Sequence, residues 1–144
     1  MTKVELRYAT LPPPLGLFAV HYWFVVWDGN RCRRWEVWQT KNAGGRSIGH
    51  VHCDLKSPDA GVGGGPARVA ARWTGAEARA IKAVLDRATA YPHCERYRMW
   101  PGPNSNTFAA WVLRRAGIRQ DLGWMAFGQS YPVSEDVATG KRRS

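Results

Sequence analysis

The sequence predicts an α+β domain, a short antiparallel sheet packed against two main helices. Three observations carry that expectation. Aromatic and β-branched residues gather in the first half of the chain, in runs that suit half-buried strands. The turn triplet Asp28-Gly29-Asn30 interrupts the longest run, as in a hairpin. Two later segments, starting near Thr74 and Ser105, repeat apolar residues at helical spacing instead.

The elements follow in order. Val4, Leu6 and Tyr8 alternate as a first short strand, which Pro12-Pro13-Pro14 ends because proline cannot donate to a ladder. Leu17 to Trp27 is the clearest strand, and Arg33 to Thr40 returns beside it. With Gly29 and Asn30 as the two loop residues, Asp28 faces Arg31, His21 lies opposite Trp38, and Trp23 lies opposite Glu36. One face of this hairpin then carries Phe18, Val20, Tyr22, Phe24 and Val26 with Trp35 and Val37, a core face. The other carries His21, Trp23, Glu36 and Trp38, and places His21 and Glu36 diagonally within reach. A slip of one residue would put Gln39 in place of Glu36.

Lys41 to Arg46 is a loop and Ser47 to Leu55 a further strand. Ser57 to Pro66 is expected to be flexible and exposed, and Ala67 to Trp73 to be one more strand. Thr74-Gly-Ala-Glu77 fits a capping box that opens a helix running to about Ala90. Ala78, Ile81, Val84, Leu85 and Ala88 share its apolar face, and Tyr91-Pro92 stops it. The second helix starts near Ser105, turns Phe108, Trp111, Val112 and Leu113 inward, and closes at Gly117. These elements make one domain over residues 1–132, followed by an expected disordered basic tail over 133–144.

A chain of 144 residues with 44% hydrophobic content can bury a core without metals or disulfides. Cys32, Cys53 and Cys94 form no CxxC pair and suit a reduced protein. No apolar run approaches the roughly 20 residues of a membrane span, and no signal-peptide pattern opens the chain. The expected compartment is the cytoplasm, with export by a signal-free route left open. The net charge of +10 favours an anionic polymer or lipid as partner. Nucleic acid is a weaker choice, since the charge is scattered and no reading motif accompanies it.

His50, His52, Cys53 and Asp54, with His93 and Cys94, are metal-competent but lack converging ligand spacing. Neither metal nor cofactor is expected, and His52 stands as an alternative partner of His21. Gly61 to Gly65 is glycine-rich but lacks the Lys-Ser/Thr of a phosphate loop.

The functional centre is the run YRMWPGPNSNTF, Tyr97 to Phe108. Pro101-Gly-Pro103 forces an irregular approach, and Asn104-Ser105-Asn106 follows at a helix start, where free N–H groups favour negative charge. Asn104 or Ser105 would serve there as an ordinary N-cap. A nucleophile in the same place would gain an oxyanion hole from backbone N–H groups near Ser105 to Thr107. Trp100 is the aromatic best placed to line a pocket, and Arg96 and Arg98 flank the approach as possible holders of a carboxylate or phosphate.

This run, with the WTGAEARAIKAVL helix and the AVHYWFVVWDG strand, resembles a bacterial family, domain of unknown function 3750, from about Leu17 to Tyr131. The chain departs from it at Gly128-Gln129-Ser130-Tyr131, where members tend to carry Gly-x-Asp-Tyr, and between Gly44 and Pro66. The order of motifs is more remotely similar to the circularly permuted branch of NlpC-type papain-like proteins, which includes lecithin–retinol acyltransferase. His21-Tyr22 resembles that branch's early His motif, and Asn104-Ser105-Asn106-Thr107-Phe108 its Asn-Cys-x-x-Phe motif.

The resemblance implies a permuted papain-like fold acting on an amide, ester or thioester acyl group, a peptide-like substrate included. His21 would be the base, Ser105 would stand in the nucleophile position, and Glu36 or Gln39 would orient the His. Asn104, Asn106, Thr107, Trp100 and Arg98 would contact substrate. Ser where the branch has Cys changes the chemistry, because a hydroxyl needs its proton removed during attack. The alternative is a non-catalytic binding module that uses the same cleft and a basic surface to hold an anionic partner.

Overall fold

The computed structural model describes residues 1–17 and 19–134, so Phe18 and most of the expected tail lie outside the described residues. Five strands, β1 (Thr2–Thr10), β2 (Val20–Asp28), β3 (Arg31–Val37), β4 (Val51–Cys53) and β5 (Arg68–Thr74), form one antiparallel sheet in the order β4-β3-β2-β1-β5. Two helices, α1 (Gly75–Asp86) and α2 (Ser105–Arg115), complete the α+β architecture.

The hairpin register is the one the turn dictates: Asp28 pairs with Arg31, Trp27 with Cys32, and Phe24 with Trp35. Two residues in the turn, Gly29 at positive φ among them, bring the strands back with their twist matched. The ladder between β2 and β3 ends at Phe24–Trp35, and β3 continues instead against β4 through Trp35–Cys53, Glu36–His52 and Val37–Val51. The strand expected from Leu17 onward begins only at Val20, because Leu15–Leu17 forms a 3-10 turn after the prolines. The strand expected over Ser47 to Leu55 is reduced to Val51–Cys53, since Ile48 turns back to pair with Val51.

Alternation along the strands sorts the side chains onto two faces. Val20, Tyr22, Phe24, Val26, Trp35 and Val37 face α1 and α2 and join Ile81, Leu85, Phe108 and Trp111 in the main core. The opposite face carries Glu5 and Arg7 on β1, His21 and Trp23 on β2, and Arg34 and Glu36 on β3. It is largely closed off from solvent, as Glu5, His21, Trp23, Arg34 and Glu36 are all buried.

The segment over residues 57–66 does the closing: Ser57, Asp59, Gly63, Gly65 and Pro66 are exposed, as expected, but hydrogen bonds tie the segment to the sheet. Arg34 Nη1 donates to the carbonyls of Ser57 and Ala60 at 2.8 and 2.7 Å, and Trp23 Nε1 donates to that of Pro58 at 3.2 Å. Arg7 Nη1 also donates to Pro58, and Thr10 Oγ1 donates to the Gly64 carbonyl at 2.6 Å. Glycine is needed here for approach: a side chain at Gly64 would collide with the Leu11 and Thr10 carbonyls.

The helix starts differ from each other. Thr74 caps α1 by position only, with no side-chain hydrogen bond, so the capping box read from Thr74 and Glu77 does not form. In α2 a capping box does form. Asn104 Oδ1 accepts from the N–H groups of Asn106 and Thr107, at 2.9 and 3.2 Å, and Thr107 Oγ1 accepts from the Asn104 N–H at 3.0 Å. Ala116 is the C-cap of α2, followed by Gly117 at positive φ.

Candidate active site

Because β3 leaves β2 beyond Phe24, the β2 edge at Val20 and Tyr22 has no strand partner on that side among the described residues. Asn106 takes its place. Its Nδ2 donates to the Val20 carbonyl at 2.9 Å and its Oδ1 accepts from the Tyr22 N–H at 3.2 Å. One side-chain amide therefore brackets His21 and ties the start of α2 to the strand that carries the His. Backbone from the C-terminal stretch closes the arrangement: the Phe127 carbonyl accepts from Asn104 Nδ2 and Asn106 Nδ2, and the Gly128 carbonyl from Thr107 Oγ1 at 2.6 Å. Gly128 sits at positive φ, and any Cβ there would strike the Asn104 amide.

His21 is 3% exposed and its ring lies between Trp23 and Trp38, with centroids 5.6 and 4.8 Å away. Its Nε2 is 2.8 Å from Glu36 Oε1. Arg34, with no exposed surface, donates from Nη2 to the same oxygen at 2.8 Å, and its Nε forms an ion pair with Oε2 at 2.7 Å that is too oblique for a hydrogen bond. The guanidinium also rests 4.0 Å over the Trp23 ring. Arg34 follows Arg31 and Arg33 on β3; alternation turns it inward, where Glu36 balances its charge.

Burial drives the His21 pKa below its ordinary value of 6.5, against the pull of Glu36. Burial works to raise the pKa of Glu36, but hydrogen bonds and charge from His21 and Arg34 outweigh it, so it falls below the ordinary 4.5. An ionised Glu36 can only accept, so Nε2 carries the His proton and Nδ1 keeps its lone pair. Among the described residues Nδ1 has no hydrogen-bond partner on the protein.

Ser105 is the first residue of α2 and is 7% exposed. Asn104 performs the capping, so Ser105 is not the N-cap. Its Oγ has one long contact, 3.5 Å to Asn106 Oδ1. Ser105 and His21 both line a cavity of about 680 Å³. Of the backbone amides expected to hold an oxyanion, those of Asn106 and Thr107 are taken by the Asn104 cap. Only the Ser105 N–H is outside that cap.

The other expected residues divide between cavity and scaffold. Trp100 and Gln39 line the cavity, and Trp100 packs edge-on against Phe127 at 5.5 Å. Glu36 rather than Gln39 is the partner of His21, because the hairpin keeps its unslipped register. Asn104 and Asn106 line the cavity while their amides hold backbone; Thr107 points at Gly128. Arg98 is exposed and outside the cavity lining. His52 is engaged by Ser47 Oγ at 2.6 Å and the Thr40 carbonyl at 2.8 Å, so it is no partner of His21. His50 Nδ1 lies 2.9 Å from the Trp38 carbonyl.

Two residues of the site are not evident from the sequence. Arg34 is hidden because a basic run reads as surface, although its i, i+2 spacing from Glu36 puts both on one strand face. Phe127 is hidden because the stretch after α2 has no periodicity; its carbonyl, its ring against Trp100 and its place in the cavity wall give it a role.

No helix among the described residues is long and apolar enough to cross a membrane. No curated protein and no solved structure matches the chain. A family model described as "Protein of unknown function (DUF3750)" matches residues 1–131, nearly the whole chain, and the protein therefore belongs to the DUF3750 family.

Proposed function

We propose that this protein is an acyl-transfer enzyme, a hydrolase or acyltransferase acting on an amide, ester or thioester, with a permuted papain-like, NlpC-type arrangement of its site. The observation that carries the reading is the buried chain Arg34–Glu36–His21, which ends beside the cavity that Ser105 also lines. Holding a neutral His in one tautomer by an ionised carboxylate is what a general base requires.

In this reading Ser105 Oγ attacks the acyl carbonyl as His21 Nδ1 accepts the hydroxyl proton. Glu36 orients the ring and stabilises the imidazolium that forms, and Arg34 keeps Glu36 ionised. The Ser105 N–H, at the positive end of α2, supplies one oxyanion donor. His21 then returns the proton to the leaving group, and water or another acceptor releases the acyl group by the same steps in reverse.

The test is labelling by a fluorophosphonate under native conditions. The expected adduct is on Ser105 and is lost in Ser105→Ala and His21→Gln. Native protein that takes up no label would count against catalysis.

A second reading, a binding module with a retired site, is favoured by the capture of the Asn106 and Thr107 amides by Asn104. Its anionic partner would lie on the basic surface outside the cavity. It predicts salt-dependent binding of an anionic polymer or anionic vesicle that survives Ser105→Ala.

A further inference from the structure

The cavity beside Ser105 has an unusual wall for this chain. Charged residues make up 22% of the sequence and the net charge is +10, yet among the described residues no Asp, Glu, Lys or Arg lines the cavity. Leu11, Pro12, Pro13, Pro14, Leu15 and Val62 contribute an apolar part of the lining. Val37, Met99 and Phe127 continue the apolar surface. The polar residues of the lining are His21, Gln39, Tyr97, Asn104, Ser105 and Asn106, besides the indoles of Trp38 and Trp100, and the Asn106 amide brackets His21 from the start of α2. At about 680 Å³ it falls within the roughly 300–1,000 Å³ of pockets that enclose a small-molecule ligand.

From these walls we infer that the site takes an uncharged, apolar acyl chain, with the carbonyl at Ser105 and the chain against Pro12, Pro13, Pro14 and Val62. The reacting end of the chain rests on the acyl-transfer reading above; the preference for an apolar chain rests on the wall alone. A carboxylate or phosphate buried here would meet no cation among the described lining residues, since Lys56 lies outside the lining over the Trp38 ring, and it would lose hydration without a direct ion pair. A peptide would bring amide groups that the proline and aliphatic walls cannot pair. An alkyl chain has neither demand, and each methylene it buries leaves water.

The entrance fits the same ligand. Met99 and Trp100 line the cavity and remain 45% and 69% exposed, so two apolar side chains stand at its rim on a chain of net charge +10. The anionic partner suggested by the net charge therefore belongs outside the cavity, and Arg98, exposed and beyond the lining, is on that outer surface.

The test is equilibrium binding by full-length Ser105→Ala, which cannot consume the ligand. Methyl butanoate, methyl octanoate and methyl dodecanoate are titrated by calorimetry and by tryptophan fluorescence, with the matching carboxylates and a tetra-alanine amide alongside. Affinity should rise by up to about fourfold per added methylene until the cavity is full. The neutral octanoate ester should bind at least about tenfold more tightly than the carboxylate or the peptide. Val62→Glu and Leu15→Glu, on two different segments of the wall, should each weaken dodecanoate-ester binding by about tenfold or more. Thermal unfolding identifies a variant that has not folded, in which case the other carries the comparison.

Affinity that ignores chain length, a preference for the carboxylate or the peptide, or no ester binding would overturn the inference. Failure of the catalytic reading looks different: the wild type takes no fluorophosphonate, while the rise of affinity with chain length remains.

Discussion

His21 and Glu36 meet diagonally across β2 and β3, with Nε2 2.8 Å from Oε1, on the sheet face turned away from both helices. The contact lies just beyond the last paired residues of the hairpin, Phe24 and Trp35, where the two strands separate. Arg34 reaches the same carboxylate from two positions earlier on β3. A His and a Glu whose strands part at this point are thus held by a side-chain bridge, with Arg34 behind it.

Glu36→Gln should be strongly destabilising although it keeps the side-chain shape. It leaves Arg34, fully buried, without its counter-charge, a loss of about 3–5 kcal/mol when one partner of a buried pair is removed. Denaturant unfolding measures it, and a loss under about 1 kcal/mol would contradict the role given to the pair. Arg34→Met should keep more stability than Glu36→Gln and still slow fluorophosphonate labelling, because Glu36 would lose the cation that favours its ionised form.

Stability should fall as the pH drops through the range below 6.5. The folded pKa of His21 lies below that ordinary value, so the unfolded chain takes up the proton first and acid favours unfolding. Glu36, lowered from 4.5, adds loss of the same sign at more acid pH. Unfolding free energy measured from neutral pH to below 6.5 should decline more steeply for the wild type than for His21→Gln. Equal slopes would remove His21 as the cause. Labelling of Ser105 should likewise persist to a lower pH than an ordinary His would allow.

Ser105→Cys places a thiol at the first turn of α2 beside the same cavity as His21. Its pKa should drop below the ordinary value of about 8.5, and iodoacetamide at neutral pH should modify it at least about tenfold faster than Cys32. Cys32 is the internal control: it is exposed, and partial desolvation of its thiol together with the Asp54 charge moves its pKa upward. Mass spectrometry after timed alkylation ranks the two sites. A thiol at 105 slower than Cys32 would argue against an activated position.

The two helix starts make a paired comparison. Asn104→Ala removes the α2 cap and the bonds to Met99 and Phe127, and should cost at least about 0.5–2 kcal/mol. Thr74→Ala removes no side-chain cap bond and should stay within about 0.5 kcal/mol. Thermal melts decide both. Equal losses would mean that the α2 capping box contributes nothing particular.

Asn106→Ala separates scaffold from chemistry. The Val20 carbonyl and the Tyr22 N–H would each lose a partner in a buried place, with about 1–3 kcal/mol for each group left unpaired. The amide N–H signals of Val20 to Tyr22 should then exchange with solvent faster, while those of Phe24 to Val26, paired with β3, should not change. Uniform protection in the variant would deny Asn106 its part in holding His21.

Local patterns in the chain decide much of the fold. Gly29 and Asn30 set a two-residue turn, and the turn with strand alternation sets the register, so the meeting of His21 with Glu36 rather than Gln39 follows from residues near one another. The start of α2 at Ser105 is equally local, since Asn104 and Thr107 cap it within four residues. Thr74 and Glu77 mark the limit of such reading: they carry the same kind of pattern, and the bond is not made.

What only the tertiary structure decided depends on contacts far apart in sequence. Arg34 reads as a surface charge until the Ser57 and Ala60 carbonyls fold over it, and the glycine-rich loop reads as free until Arg34 and Thr10 bind it. Asn106 reads as one more polar residue at a helix start until β2, more than eighty positions earlier, presents an unpaired edge. The amino-acid sequence by itself determined that His21 meets Glu36 across the hairpin and that Ser105 opens a helix. Packing decided which site residues hold backbone, which face the cavity, and that the described cavity wall bears no charge, because those outcomes rest on desolvation and pairing between segments that no local pattern brings together.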